Sequence, residues 1–133
     1  MPDQPIADAT ARILAPRRVD KPWGYELIVA QTDRYVGKVL HIDPGHALSR
    51  QYHRVKDESL YVLSGTLVLE TGLGPHLERV VVEPGRRFRI RPGTVHRFLT
   101  EDAPCELLEV STPELDDVVR LEDRYGREGT SDP

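Results

Sequence analysis

Short apolar runs recur along the chain from Tyr25 onward, and turn residues separate them. The runs are YELIVA, RYVGKVLHI, HALSRQYH, ESLYVLS, TLVLET, HLERVVVE, RRFRI, TVHRFL and CELLEV. They are rich in Val, Leu, Ile and Tyr, and Gly or Pro stands between several of them, which is typical of β-strands joined by tight turns. About nine strands at intervals of roughly 8–12 residues predict an all-β fold, either a sandwich or a barrel.

The two ends of the chain lack this pattern. Residues 1–20 are polar, contain three prolines and show no sustained period, so they predict a flexible N-terminal arm or an edge element that orders only against a partner. The segment after Pro113 predicts a short C-terminal helix or an ordered tail, and residues 128–133 predict a disordered tail. A chain of 133 residues has room for one domain, which we place at residues 21–127.

Alternation along a strand assigns side chains to its two faces. In RYVGKVLHI, Lys38 falls on the same face as Val36, Leu40 and Ile42. A lysine is therefore predicted to point into the interior of the domain.

Charge and composition exclude several kinds of partner. The chain has 18 Lys and Arg residues against 22 Asp and Glu residues, and a net charge of -4 argues against nucleic acid, which needs a basic face. Its one cysteine, Cys105, cannot form an intrachain disulfide. No run approaches the roughly 18 apolar residues of a membrane span, so we expect no membrane partner and a cytoplasmic location.

The N-terminal arm also bears on oligomeric state. A small antiparallel barrel leaves sheet edges that need cover, and Ile13 and Leu14 are apolar enough to dock on a neighbouring copy. We therefore predict a homodimer.

Four residues with nitrogen or oxygen ligand atoms stand at spacings that a barrel can bring together: Gln51, His53, Glu58 and His96. Gln51 and His53 share a strand face as residues i and i+2, Glu58 follows a short turn, and His96 stands beside a Pro-Gly corner. Imidazole nitrogen suits Zn, Cu, Fe and Ni, while carboxylate and amide oxygens also admit Mn. The set predicts a divalent metal site. The alternative is that both histidines are hydrogen-bonded core residues and that Glu58 lies on the surface.

The same residues carry a family resemblance. The segment from Gly45 to Gly65 resembles the first cupin motif, with Gln51 where the leading histidine usually stands. Residues 85–100 are similar to the second motif, which includes His96, with Arg91 and Thr100 where the motif usually has proline and asparagine. The resemblance implies a jelly-roll barrel, also called a double-stranded β-helix, that holds one divalent metal in its interior. Zinc is the first choice of metal, with Mn, Fe and Ni as alternatives.

A narrower resemblance covers about four fifths of the chain, to the cupin domain of type II mannose-6-phosphate isomerases. The matching segments are KPWGYE, the RY of residues 34–35 with the lysine at 38, PG..LS.Q.H at 44–53, SGT at 64–66, HR at 96–97 and DDVVRLEDRYGR at 116–127. This resemblance implies interconversion of aldose and ketose sugar phosphates, with a sugar phosphate or related anion as ligand. Arg54, Val55 and Lys56 depart from the family pattern, and a lysine cannot replace the bidentate fork of an arginine on phosphate.

Isomerisation needs an acid/base beside the metal, and Lys38 is the candidate, since a desolvated amine can have a lowered pKa. The alternative is a lysine whose ammonium reaches a carboxylate such as Glu58 or Glu26. Lys56 and Arg97 are the candidates for an anionic group of the substrate, although strict alternation puts Arg97 on the face opposite His96.

Two other classes of function stay open from the sequence. One is a non-catalytic cupin that binds a sugar or a carboxylate, favoured by the altered residues after His53. The other is a metal-dependent oxygenase, because the same barrel with Fe or Ni could bind oxygen.

Overall fold

Two antiparallel six-stranded sheets face each other and enclose the core. The computed structural model describes residues 4–5 and 11–130. Apart from a one-turn 3-10 helix at Gly74–His76, the regular elements of these residues are strands. The strands are β1 (Gln4–Pro5), β2 (Arg12–Ile13), β3 (Arg17–Lys21), β4 (Gly24–Gln31), β5 (Val36–Ile42), β6 (Arg50–Tyr52), β7 (Glu58–Ser64), β8 (Leu67–Thr71), β9 (Glu78–Val82), β10 (Arg87–Ile90), β11 (His96–Leu99), β12 (Cys105–Ser111), β13 (Val119–Glu122) and β14 (Gly129–Thr130).

The strand order interleaves distant parts of the chain. One sheet runs β10-β7-β12-β5-β4-β3 and the other runs β14-β13-β6-β11-β8-β9, while β1 and β2 form a separate two-stranded ladder. The nine strands predicted from the apolar runs correspond to β4 through β12, so the all-β prediction is confirmed. Non-consecutive neighbours within two facing antiparallel sheets are the architecture of a jelly roll.

The chain ends differ from the sequence prediction. Residues 17–20 are not flexible: they belong to β3, an edge strand as the second alternative held, but it pairs with β4 of the same chain rather than with a partner, from Arg17 opposite Ile28 to Lys21 opposite Gly24. A strand partner within the same chain satisfies their backbone groups. Residues 1–3 and 6–10 of the arm lie outside the described residues. Ile13 and Leu14 are 42% and 60% exposed, and the homodimer stays a prediction.

The C-terminal segment contains a strand where a helix was one of the two predictions. Val119–Glu122 pairs with β6, and Gly129 and Thr130, assigned to the disordered tail, pair with β13. The ordered-tail alternative is therefore the correct one, because the open edge of the sheet offers backbone partners that a helix would leave unused. Residues 131–133 lie outside the described residues.

Most of the core fills the space between the inner faces of the two sheets. Its buried side chains are Trp23, Leu40, Ile42, Leu48, Leu60, Val62, Leu67, Leu69, Ile90, Phe98, Cys105 and Leu107. Gly65 turns the chain between β7 and β8 with a φ of +74°, and a Cβ there would lie 2.0 Å from the Pro104 carbonyl oxygen. This turn therefore requires glycine.

Within the described part of the chain, no helix has the length and apolar character that crossing a membrane would need.

Candidate metal centre

Three buried side chains converge at one end of the interior: His53, Glu58 and His96. One ligand atom from each lies within 4.8 Å of the other two. Glu58 Oε1 is 3.4 Å from His96 Nε2 and 3.7 Å from His53 Nε2. Each side chain is at most 3% exposed, so none of the three is a surface group. The alternative that Glu58 lies on the surface is therefore wrong.

The three residues lie at the ends of three strands. His53 directly follows β6, Glu58 begins β7 and His96 begins β11. The Gly93 N–H donates to the His53 carbonyl at 2.6 Å, which joins the loop before His96 to the turn after β6. The three side chains are thus held by the strands they adjoin and by a hydrogen bond between two of their loops.

Hydrogen bonds orient both imidazole rings. His53 Nδ1 lies 2.6 Å from the Asp117 carbonyl oxygen, and His96 Nδ1 lies 2.8 Å from the Thr94 carbonyl oxygen. A carbonyl oxygen only accepts, so each Nδ1 donates its proton to the backbone and each Nε2 faces Glu58. This backbone support is the arrangement that metal-ligating histidines use.

One buried atom in the group lacks a hydrogen-bond partner. His96 Nε2 has none among the described residues, although buried polar atoms are normally paired. Two imidazole lone pairs and a carboxylate match the donor set of Zn and of other first-row divalent metals. These residues therefore fit a divalent metal, and its identity is open.

Gln51 adjoins the group on β6, opposite His96 of β11 in register. Its Nε2 lies 3.5 Å from His53 Nε2, and its Oε1 accepts a hydrogen bond from the Ser49 hydroxyl at 2.5 Å. The serine hydroxyl can also accept, so the amide can turn over and direct its oxygen to the cluster without losing this partner. The geometry thus allows Gln51 as a fourth ligand.

Electrostatics favour the ionised carboxylate in this group. Burial alone would raise the pKa of Glu58, but His53, His96 and the Lys56 ammonium hold it well below its ordinary value. Glu58 is thus a carboxylate at neutral pH, which is the form that ligates a metal.

Lys38 lies inside, as the alternation predicts, and is 4% exposed. Its Nζ donates to Glu26 Oε2 at 2.7 Å, and Glu109 Oε2 is 3.7 Å away. The contact with Glu26 is the one named in the counter-ion alternative. Burial of such a charge is tolerated because carboxylates from two neighbouring strands surround it.

Lys56 is also buried, and it shares Glu109 as a neighbour with Lys38. Its Nζ lies 3.2 Å from Glu58 Oε2 and 3.1 Å from Glu109 Oε2. Burial works to lower the pKa of Lys56, but the carboxylates of Glu109 and Glu58 raise it above its ordinary value. Lys56 therefore stays cationic. Through its contacts with Glu58 and Glu109 it links the candidate metal centre to Lys38.

Except for His96, these side chains line a cavity, here called the charged cavity. It is lined by Lys21, Trp23, Glu26, Lys38, Leu40, Leu48, Gln51, His53, Lys56, Glu58, Phe98, Glu109, Leu115, Val118, Arg120 and Arg127. Five cationic side chains face three carboxylates in this lining. The excess of positive charge, before any metal is added, favours an anionic ligand.

A groove of about 710 Å³, here called the outer groove, opens beside the charged cavity. The two share Lys21, Glu26, Lys38 and Leu115 in their walls. The free space of the charged cavity itself is only about 50 Å³. Ligand pockets commonly measure about 300–1,000 Å³, so a small-molecule ligand needs the outer groove as well.

Arg97 is the predicted site residue that the structure does not bring to the cavity. Its Nε donates to the Leu48 carbonyl oxygen at 2.9 Å, and its register partner Glu70 lies on the face away from His96. Its guanidinium points to the outer side of the sheet, as strict alternation requires.

Sequence reasoning missed Glu109, Arg120 and Arg127 of the charged cavity, and it named Glu26 only as a possible counter-ion for Lys38. A signal existed for the carboxylates. Glu109 shares strand parity with Cys105 and Leu107, and Glu26 shares it with Ile28, so the rule that placed Lys38 inside also applies to both.

The chain resembles known proteins over most of its length. A family model described as the cupin domain matches residues 38–111. The xanthan biosynthesis protein XanB of Xanthomonas campestris pv. campestris is 33% identical over 115 residues, which cover 84% of this chain and 24% of XanB. The mannose-1-phosphate guanylyltransferase ManC of Salmonella typhimurium is 34% identical over 119 residues, which cover 84% of this chain and 23% of ManC. The chain thus spans about a quarter of the length of the curated relatives it matches.

Solved structures agree on the fold. A sugar phosphate isomerase from the cupin superfamily of Silicibacter pomeroyi superposes with a TM-score of 0.62 and 24% identity, over 72% of this chain and 64% of that chain. The family model covers more than half of the chain, and its span includes His53, Glu58 and His96. This chain belongs to the cupin domain family.

Proposed function

We propose that this protein is a metal-dependent isomerase that interconverts aldose and ketose sugar phosphates, of the mannose 6-phosphate type. The observation that carries the proposal is the row of contacts that joins the His53, Glu58 and His96 group, through Lys56 and Glu109, to a buried lysine at the outer groove. The names of two relatives support the sugar-phosphate class, since ManC is a mannose-1-phosphate guanylyltransferase and one structure of the same fold is a sugar phosphate isomerase.

The reaction moves a proton between two adjacent carbons of the open-chain sugar. His53, Glu58 and His96, with Gln51 as a fourth ligand, would hold a divalent metal that would supply a Lewis acid for the carbonyl and hydroxyl oxygens. Lys38 supplies the second requirement, a group that takes the proton from one carbon and returns it to the next.

The surroundings of Lys38 suit this role. Its Nζ lies between Glu26 and Glu109, 2.7 Å and 3.7 Å from their nearest oxygens, so these carboxylates hold the side chain in one position inside the domain. Lys38 also borders both the charged cavity and the outer groove. A sugar chain lying across that border would contact Lys38.

Anion binding falls to other cationic side chains. Arg120 and Arg127 line the charged cavity, and Lys56 is held there by two carboxylates. We assign the attraction of a sugar phosphate to this excess of positive charge, with Lys56 as the member predicted from the sequence. Arg97 has no part in this assignment because its guanidinium lies on the other side of the sheet.

A non-catalytic sugar- or carboxylate-binding cupin is the second candidate. The short Lys38 to Glu26 contact favours it, because a lysine held at 2.7 Å by a carboxylate can serve as a counter-ion alone.

The test combines metal content with turnover on the full chain. Elemental analysis of purified protein should show about one divalent metal per chain, and a coupled assay should detect conversion of mannose 6-phosphate to fructose 6-phosphate. Chelation should abolish that activity, and Zn or Mn should restore it. Sugar-phosphate binding without turnover at full metal content would establish the second candidate, and protein without metal or turnover would refute the isomerase.

A further inference from the structure

The segment between β12 and β13, residues 112–118, lies over the turn that follows β6. The Asp117 carboxylate accepts hydrogen bonds from three consecutive backbone N–H groups of this turn: Arg54 to Oδ1 at 3.0 Å, Val55 to Oδ2 at 2.7 Å and Lys56 to Oδ2 at 2.8 Å. Successive N–H groups aimed at one point form a concave anion site, and here the anion is a side chain of the same protein.

Asp57, the next residue of the turn, also forms hydrogen bonds with the segment of residues 112–118. The Asp57 N–H donates to the Thr112 hydroxyl at 3.0 Å, and the Thr112 N–H donates to the Asp57 carbonyl at 3.0 Å. Arg54 and Val55 have exposed side chains, so burial of apolar surface does not fix this part of the chain. Its conformation therefore depends on these hydrogen bonds.

Both ends of the turn carry residues of the charged cavity. The Asp117 carbonyl oxygen lies 2.6 Å from His53 Nδ1, at the start of the turn. At its end, the Lys56 side chain reaches Glu58 and Glu109 at 3.2 Å and 3.1 Å. One residue of the C-terminal segment thus contacts the imidazole of a ligand and the backbone of the cavity lysine.

We propose that Asp117 is a positioning residue for the metal centre. Its carbonyl orients the His53 ring, and its carboxylate sets the turn that aims Lys56 into the cavity. Loss of the carboxylate leaves three N–H groups without their acceptor, so the turn shifts and carries both His53 and Lys56 with it. This inference rests on the metal site proposed above.

The test compares Asp117→Ala with Asp116→Ala in the full chain. Asp116 is the adjacent exposed aspartate, so its loss removes the same charge from the segment without touching the turn. We expect Asp117→Ala to weaken zinc binding by about 10- to 100-fold in a chelator competition, as support of a ligand by outer contacts typically does. Asp116→Ala should stay within twofold of the wild type.

A second readout needs no metal. In the metal-free protein, amide hydrogen exchange at Arg54, Val55 and Lys56 should accelerate at least tenfold in Asp117→Ala and stay unchanged in Asp116→Ala. Asp117→Asn keeps one acceptor oxygen and the backbone carbonyl, so it should fall between the two in both measurements. It also serves as the test if the alanine variant fails to fold.

Zinc affinity equal to that of the Asp116→Ala control, whatever the melting temperature, would overturn the proposal and leave Asp117 a purely structural residue. Failure of the wild type to bind metal is a different result, since it refutes the proposed function. The exchange measurement then decides the positioning by itself, and unaccelerated exchange at residues 54–56 in Asp117→Ala overturns it.

Discussion

The interior of the barrel has an apolar end and a charged end, and the same strands pass through both. On three neighbouring strands the inward side chains change from leucine to an ionisable group two residues away: Leu40 to Lys38 on β5, Leu60 to Glu58 on β7, and Leu107 to Glu109 on β12. The register aligns the change on β5 and β12, where Glu109 is opposite Lys38, and offsets it by one inward position on β7, where Glu109 is opposite Leu60.

This contrast separates stability from chemistry within one core. The leucine end gains free energy by removing apolar surface from water. At the charged end, removing the ionised groups from water costs free energy, and the ion pairs offset only part of that cost. Functional sites commonly break the rule that inward positions of a strand are apolar. Here the inward positions that break it belong to the candidate metal centre and to the lysines of the charged cavity.

The largest effect is expected from removing a ligand at the charged end. His96→Ala, and likewise His53→Ala, should lose the bound metal and with it the stabilisation that ligand binding gives the folded state. Elemental analysis and melting curves with and without chelator measure this. His76→Ala is the matched control, because His76 is exposed on the 3-10 helix. A wild type with neither metal nor a chelator-dependent melting shift would show that the group is not a metal site.

At the apolar end, Leu107→Ala should lower the free energy of unfolding by about 2–5 kcal/mol, because the fully buried side chain leaves a cavity. Metal affinity per folded molecule should stay near that of the wild type. Urea denaturation and chelator competition on the same sample check both statements. A large drop in metal affinity would show that the two ends are energetically coupled and would contradict the separation.

Lys38→Met tests the boundary between the ends. Methionine fills similar apolar space, so fold and metal should remain, while isomerase turnover should fall by a factor of about 100 or more if Lys38 moves the proton. A buried counter-ion would instead leave turnover unchanged and alter the melting temperature, with either sign, since Glu26 would lose its close partner. Turnover at wild-type level with full metal content would refute the catalytic assignment.

The smallest effect is expected beside the mouth of the charged cavity, where Arg127 is held by Asp123. This buried carboxylate accepts the Arg127 backbone N–H at 2.7 Å and its Nε–H at 2.9 Å. Burial acts to raise the pKa of Asp123, but the bonds from Arg127 hold it below its ordinary value. Asp123→Asn should cost about 1–2 kcal/mol at neutral pH.

The pH dependence of that effect has a definite sign. A carboxylate whose pKa is lowered by folding stabilises the protein fully above its unfolded pKa of about 4, and this contribution disappears as the pH falls through the lower folded value. The difference in unfolding free energy between wild type and Asp123→Asn should therefore shrink on acidification. A difference independent of pH between 7 and 3 would contradict the ionic origin of the contact.

The sequence by itself determined nine of the strands, their buried faces and the three side chains that converge in the candidate metal centre. Period-two alternation is a local property of the chain, so it correctly placed Lys38 inside and Arg97 on the opposite face from His96. The spacing of His53, Glu58 and His96 carried the family resemblance, and the structure brings those three side chains together.

Only the tertiary structure decided which charges meet. Lys38 contacts Glu26 of β4 and Glu109 of β12 because the sheet order places β5 between those two strands, 71 residues of sequence separating Lys38 from its partner on β12. The same holds for Asp117, whose contacts with the turn after β6 are 61 to 63 residues distant in sequence. Strand order and register arise from the packing of the whole domain, and no local period encodes them.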